Sequence, residues 1–434
     1  MADFKFDIAL QNNSPQAQSL TLFSPLSQTA QKTTKYQFAT PYQASYPANC
    51  VFTVTLSSGV ITYTNPAIIT PVQLAAALTD LGAGTWNVAF SDAINGNVFY
   101  VFSEAVTQTF QINGDAFWAT QTSPVTQNVL NSVLFIDALT GWVVGQGASN
   151  QILIMSTVDG GATWVQQISP VAGYTLRSVH FVDANNGWAV GYDNSNLALS
   201  NIIILVTANG GATWTQQLSP ITGQLYSVFF INANTGWAVG SDQTSNVIIL
   251  TTANGGTNWT TQVSPVADEF LWSIYFIDAN TGWAVGRRTL APLDLILATT
   301  NGGVTWTQQT SPISLIMFGV HFVDGNNGWA VGGGVGSVIS TNDGGANWVQ
   351  KTSPAGGYLW SVFFINSTTG WVVGSNGSGN IDIYKTIDGG TTWIHQTSPV
   401  IPGTLRGSYF INSGLGYAVG DDGSNNIVIV KYID

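Results

Sequence analysis

The chain has 434 residues, a formal net charge of −12, and only 7 per cent Asp, Glu, Lys and Arg. Such acidity, with no basic cluster able to neutralise a run of phosphates, excludes nucleic acid as a partner and argues against binding to an anionic membrane surface. Cys50 is the single cysteine, so no intrachain disulfide can form, and three histidines offer no zinc-ligand spacing. No metal and no cofactor is therefore expected.

Asn, Gln, Ser, Thr and Gly fill the polar positions, which implies an exterior that is polar and nearly uncharged. The start, MADFKFDIALQNN, lacks the charged, apolar and small-residue succession of a secretory signal. No apolar run approaches the roughly 18 residues of a membrane span.

Residues 1–115 read as a small α+β domain. Alternating apolar segments SLTLF, CVFTVTL, TWNVAF and NVFYVFS predict strands, with Asn95-Gly96 as a hairpin turn. One helix is predicted between them. Thr70 is its N-cap, Pro71 its first residue, Leu74, Ala77, Leu78 and Leu81 its apolar stripe, and Gly82 its stop. Asn12-Asn13-Ser14 with Leu20-Thr21-Leu22-Phe23, and the run from Leu74 to Trp86, resemble modules of tailed-bacteriophage structural proteins. That resemblance implies attachment to a particle.

From about residue 116 a segment recurs to the end. Trp142, Trp188, Trp237, Trp283, Trp329, Trp371 and Tyr417 share one local context, 42 to 49 residues apart. A period in the mid-forties means a succession of small sheets, and seven copies predict seven blades. Each copy offers four short strands, for example LYSVFFI, GWAVG, NVIILTT and NWTTQ over residues 225–262. The first turn has the form of Asp183 to Gly187, and the third and fourth strands join at turns such as Asp159-Gly160-Gly161 and Asn254-Gly255-Gly256.

A Thr two residues upstream of that second turn and a Trp five residues downstream, such as Thr157 and Trp164, complete a pattern that resembles the Asp-box, or BNR, repeat. With GWAVG it resembles the propellers of photosystem II stability/assembly factors, over residues 118–434. The last copy supplies three strands, SYFIN, GYAVG and NIVIVK. Phe117 to Pro124 matches Thr392 to Pro399, so the missing fourth strand comes from the front of the array. The expectation is a mainly β chain: a seven-bladed propeller over 116–434, closed by a 3+1 strand arrangement and preceded by the 1–115 domain.

Asp-boxes occur in sialidases and xyloglucanases, so catalysis needs a direct test. Arg177, Arg287, Arg288 and Arg406 are the only arginines, too few and too dispersed for a sialidase carboxylate clamp. Asp137, Asp183, Asp278 and Asp324 sit where other copies carry Asn, which a general acid would not tolerate. The off-pattern Asp193, Asp242, Asp268, Glu269, Asp294, Asp382, Asp421 and Asp422 read as solvated loop carboxylates. His180 and His321 replace aromatics of other copies and read as packing residues, and His395 carries no signal. No catalytic residue is expected.

Loops after the second and fourth strands vary between copies, as in YDNSNLALSN, SDQTSN, RRTLAPLD and GGVG, so one face is uniform and the other individual. Residues entering the inner strands, Asn131, Arg177, Tyr226, Trp272, Phe318, Trp360 and Arg406, should ring the channel mouth on the individual face. Six of them, Arg177 to Arg406, are the candidate ligand site, weighed against simple rim packing. The assembly-factor relatives carry an arginine-rich partner patch; here two arginines lie among aromatics.

The leading expectation is a non-enzymatic structural or adhesive virion protein. Its N-terminal domain would bind other virion proteins and its propeller a host-surface protein or glycan, with homo-oligomers compatible. The alternatives are an assembly or scaffolding factor gripping a partner through the propeller face, including in the cytoplasm, and an Asp-box lectin or glycosidase.

Overall fold

The computed structural model describes residues 117–433, apart from 149–150, 172–173, 194–200, 243, 245, 268, 290–292, 335–336 and 354–356, together with the N-terminal strands given below. The chain divides into two units, Met1–Phe117 with Asp434, and Trp118–Ile433. In the first, Ala17–Ser19, Phe6–Leu10, Cys50–Leu56 and Gly59–Thr64 form one sheet in that order, Thr34–Pro41, Asn97–Glu104 and Thr85–Asp92 a second, and Ala2–Asp3 pairs with Gln108–Thr109. CVFTVTL, TWNVAF and NVFYVFS are strands as read. The helix predicted at 70–82, the Asn95-Gly96 turn and most of SLTLF lie outside the described residues.

The second unit is a seven-bladed propeller. Six blades are consecutive four-stranded antiparallel sheets whose inner strands are Val129–Phe135, Tyr174–Phe181, Gln224–Phe230, Glu269–Phe276, Met317–Phe322 and Tyr358–Phe364. The seventh combines Thr404–Asn412, Leu415–Asp421 and Ile427–Ile433 with Phe117–Thr120. The inner strand of the seventh blade packs against that of the first, closing the ring.

Closure repeats the bonds that join the other blades. In four successive junctions an outer-strand Trp donates its indole N–H to a Gln of the preceding blade: Trp214 to Gln167, Trp259 to Gln217, Trp306 to Gln262 and Trp348 to Gln309, at 3.0–3.1 Å. Trp118, from the front of the array, donates to Gln396 at 3.0 Å in the same way. Trp118 also meets Phe410 edge-on at 5.8 Å, as Trp214 meets Phe181 at 5.9 Å.

Between the sheets the GWAVG tryptophans stack on the inner-strand phenylalanine of the next blade. Trp142 lies 3.6 Å from Phe181, and Tyr417 completes the circuit 3.7 Å from Phe135. Each pair adds about 1 kcal/mol beyond its buried area. Every one of these tryptophans but Trp371 also bonds the next blade's Asp-box turn, as Trp142 does to Gly210 O and Trp283 to Gly344 O. Within that turn Thr157 Oγ1 accepts from Gly161 N, and Asp159 Oδ1 accepts from Thr163 N and the Thr157 hydroxyl. The Asp and Asn side chains read as structural are therefore consumed by turn backbone.

Candidate binding face at the channel mouth

In every blade the pairing of the first two strands slips by one residue: between Leu130 and Ser132, Leu176 and Ser178, Leu225 and Ser227, Leu271 and Ser273, Met317 and Gly319, Leu359 and Ser361, and Leu405 and Gly407. A bulge leaves its extra residue unpaired and re-aims that side chain. The extra residues are Asn131, Arg177, Tyr226, Trp272, Phe318, Trp360 and Arg406, which together line one cavity of about 160 Å³ in the channel.

Below them lies a belt of serines. The hydroxyls of Ser132, Ser178, Ser227 and Ser273 accept from the N–H groups of Val179, Val228, Ile274 and Val320 on the following blades, at 3.2–3.3 Å. These bonds fix the inner strands against each other directly beneath the mouth. A further ring, His180, Phe229, Tyr275, His321, Phe363 and Tyr409, packs with centroids 4.5–5.0 Å apart. Burial lowers the pKa of His180 to about 4 and of His321 to about 3, so both are neutral packing groups at pH 7.

The mouth is asymmetric. Tyr226, Trp272, Phe318 and Trp360 make a continuous aromatic arc, with neighbouring centroids at 4.3, 5.9 and 4.2 Å. Arg406, Asn131 and Arg177 complete the circle. Arg406 donates through Nε and Nη2 to Asp421 and lies 5.7 Å from the Trp360 ring, while Arg177 donates to the Tyr192 hydroxyl. Tyr226 donates to Gln224, and burial pushes its pKa up. Of the remaining arginines, Arg287 covers Phe270 at 4.4 Å, and Arg288 pairs with Glu269. Four buried polar atoms on the seven bulge residues have no hydrogen-bond partner: Asn131 Oδ1, Arg177 Nε, Trp272 Nε1 and Trp360 Nε1.

Four carboxylates read as solvated are instead buried: Glu269, Asp294, Asp382 and Asp421, at 2, 5, 4 and 9 per cent exposure. They occupy strand ends, where pairing with the neighbouring strand removes them from water. Glu269 and Asp421 answer arginines. Burial raises the carboxyl pKa of Asp294 and Asp382; for Asp382 this is opposed chiefly by His395, whose Nε2 lies 3.8 Å away. Asp193, Asp242 and Asp422 are half-buried, and Asp268 lies outside the described residues. The loops after the second strands are also less individual than their sequences suggest. Asp242, Asn376 and Asp422 each close their loop by accepting two backbone N–H groups, from 244 and 246, 378 and 380, and 424 and 426.

No cluster of three metal-ligating side chains occurs among the described residues. Sequence reasoning placed the rim residues but missed the bulge that aims them and the glutamines that bolt the blades. The first signal was the unchanging last glycine of GWAVG; the second was the Gln recurring two residues before Ser-Pro.

Residues 111–220 and 208–315 match the family model described as photosynthesis system II assembly factor YCF48. Among solved structures, YCF48 bound to a D1 peptide is 21% identical with a TM-score of 0.56, covering 73% of this chain and 95% of that one. YCF48 from Cyanidioschyzon merolae is 23% identical with a TM-score of 0.56, over 73% and 99%. Virginiamycin B lyase from Staphylococcus aureus shares the architecture at 11% identity and a TM-score of 0.57, over 73% and 98%. No curated protein matches by sequence. The assembly-factor resemblance of the repeats is thus shown; that of the N-terminal region to phage modules is not.

Proposed function

We propose that this chain is a non-catalytic binding propeller of the assembly-factor kind, gripping a segment of a partner protein over the channel mouth. The observation that carries this reading is the set of seven bulges, which direct unlike side chains of seven blades into one opening. Rigid aromatic anchors beside arginine are the residue types that dominate protein interfaces. The YCF48 match and the D1 peptide held by one YCF48 structure support a peptide partner over the virion role expected from the N-terminal region. No carboxylate is among the described residues lining the cavity, which weighs against glycoside hydrolysis there.

The test is affinity capture from extracts of the native cell with the full chain, comparing the unaltered protein with Trp272→Ala and Trp360→Ala. Loss of one discrete partner in both variants, with melting temperature retained, is expected. Capture of the same partner by all three proteins would sink the reading.

A further inference from the structure

The chemistry of the mouth specifies what part of a partner enters it. This step rests on the peptide-binding reading and narrows it. The chain as a whole is acidic, yet the cavity is lined by two guanidiniums, those of Arg177 and Arg406, and by no carboxylate among its described residues. Of these two, Arg406 is answered by a buried acid, Asp421, as Arg288 outside the lining is answered by Glu269. Arg177 has a phenolic oxygen, that of Tyr192, in place of an acid.

Three donors on lining residues lack acceptors: Arg177 Nε, Trp272 Nε1 and Trp360 Nε1. A buried donor left unmade is costly, and three such donors against one unpartnered acceptor, Asn131 Oδ1, leave the mouth short of acceptors. These atoms are covered by the packed rim, and reaching them requires the rim side chains to turn. The serine hydroxyls of the belt are already engaged by backbone N–H groups. An incoming group therefore has to supply oxygen acceptors and, opposite Arg177, negative charge.

We propose that the mouth receives a carboxylate from the partner peptide, with Arg177 and the two indole N–H groups as its donors and the arc of Tyr226, Trp272, Phe318 and Trp360 packing against the adjoining side chain. Ionised acceptors bind such donors about twice as strongly as neutral ones. A cavity of about 160 Å³ has room for a group the size of one side chain. The carboxylate is that of an Asp or Glu side chain or of a chain terminus.

The experiment is a titration of the full chain followed by its indole N–H resonances, with those of Trp272 and Trp360 assigned through Trp272→Phe and Trp360→Phe. The probes are N-acetyl-glutamate methylamide, N-acetyl-glutamine methylamide and N-acetyl-alanine, whose carboxylate is terminal. Saturable downfield shifts of both indoles with either acid, and at least about tenfold weaker response to the glutamine probe, are expected. Arg177→Gln should weaken the acid response about tenfold or more, and Arg177→Lys, which keeps the charge and loses Nε, by less; near-ultraviolet circular dichroism checks the fold of each. Equal shifts from the glutamine probe, or none from any probe, overturn the carboxylate assignment. If the captures by Trp272→Ala and Trp360→Ala still fail, the peptide-binding reading survives that result.

Discussion

Gly286 faces the carbonyl oxygen of Phe270 so closely that a Cβ at position 286 would lie 1.7 Å from that oxygen. Every blade repeats the relationship, Gly145 with Val129 O and Gly374 with Tyr358 O among them, at 1.7–2.0 Å. The last glycine of GWAVG is therefore the place where the bulged inner strand crosses its neighbour, and it lets Trp272 or its counterpart reach the channel. Because backbone cannot yield as a side-chain tip does, Gly286→Ala should destabilise the chain by roughly 3 kcal/mol or more. Urea unfolding measures this, and a neutral result would mean that the bulge has another cause.

Ring closure depends on Trp118, which is 3% exposed, donates to Gln396 and packs on Phe410 and Tyr432. Trp118→Ala should cost about 3–5 kcal/mol, as much as Trp214→Ala within an uninterrupted blade. Thermal unfolding of the two variants side by side is the check. A harmless Trp118→Ala would show that the closing strand contributes nothing.

Two junctions lack this Trp-to-Gln bond, with Trp164 Nε1 and Trp393 Nε1 both buried without an acceptor, and the second has a visible cause. Lys351 stands where other blades place the bridging Gln. A Cβ on Gly390 would come within 3.8 Å of Lys351 Cγ, which places the Lys351 stem beside that Asp-box turn. Lys351→Gln should thus supply the missing bond and stabilise the propeller by about 1 kcal/mol. A lower denaturation midpoint in the variant would count against the bolt.

Asp294 stands where other blades carry Ile152, Ile202, Val247, Ile381 and Ile427. Burial raises its carboxyl pKa, with Ser311 and Arg288 offsetting part of the effect, and Oδ1 is unpartnered. When the folded pKa is the higher one, the unfolded chain loses its proton first. Stability then falls as pH rises from the ordinary carboxylate value through the folded one. Asp294→Leu should remove that loss, adding about 1–3 kcal/mol at pH 7 and less at pH 4. An advantage that shrinks as pH rises would contradict the sign.

What could be read in advance follows from how local each signal is. Phe117 to Pro124 matches a complete outer strand elsewhere in the array, so the 3+1 closure was visible as a repeat out of place. The rim residues were visible because comparing copies aligns Trp272 with Trp360 without any knowledge of pairing. The bulge was not, because a one-residue slip changes the partner of Trp272 while leaving its sequence spacing intact. Asp294 and Asp382 were misread because a strand end beside a variable loop looks like loop in sequence, whereas pairing within the sheet buries it.

The central claim is that a partner protein docks on the face bearing Phe318. A photoreactive benzoylphenylalanine placed at Phe318, and in a second preparation at Leu139 on an exposed first turn of the opposite face, tests it in native extract. The account predicts one discrete cross-linked adduct from position 318 and none from position 139. Adducts from position 139 with none from position 318 would contradict it.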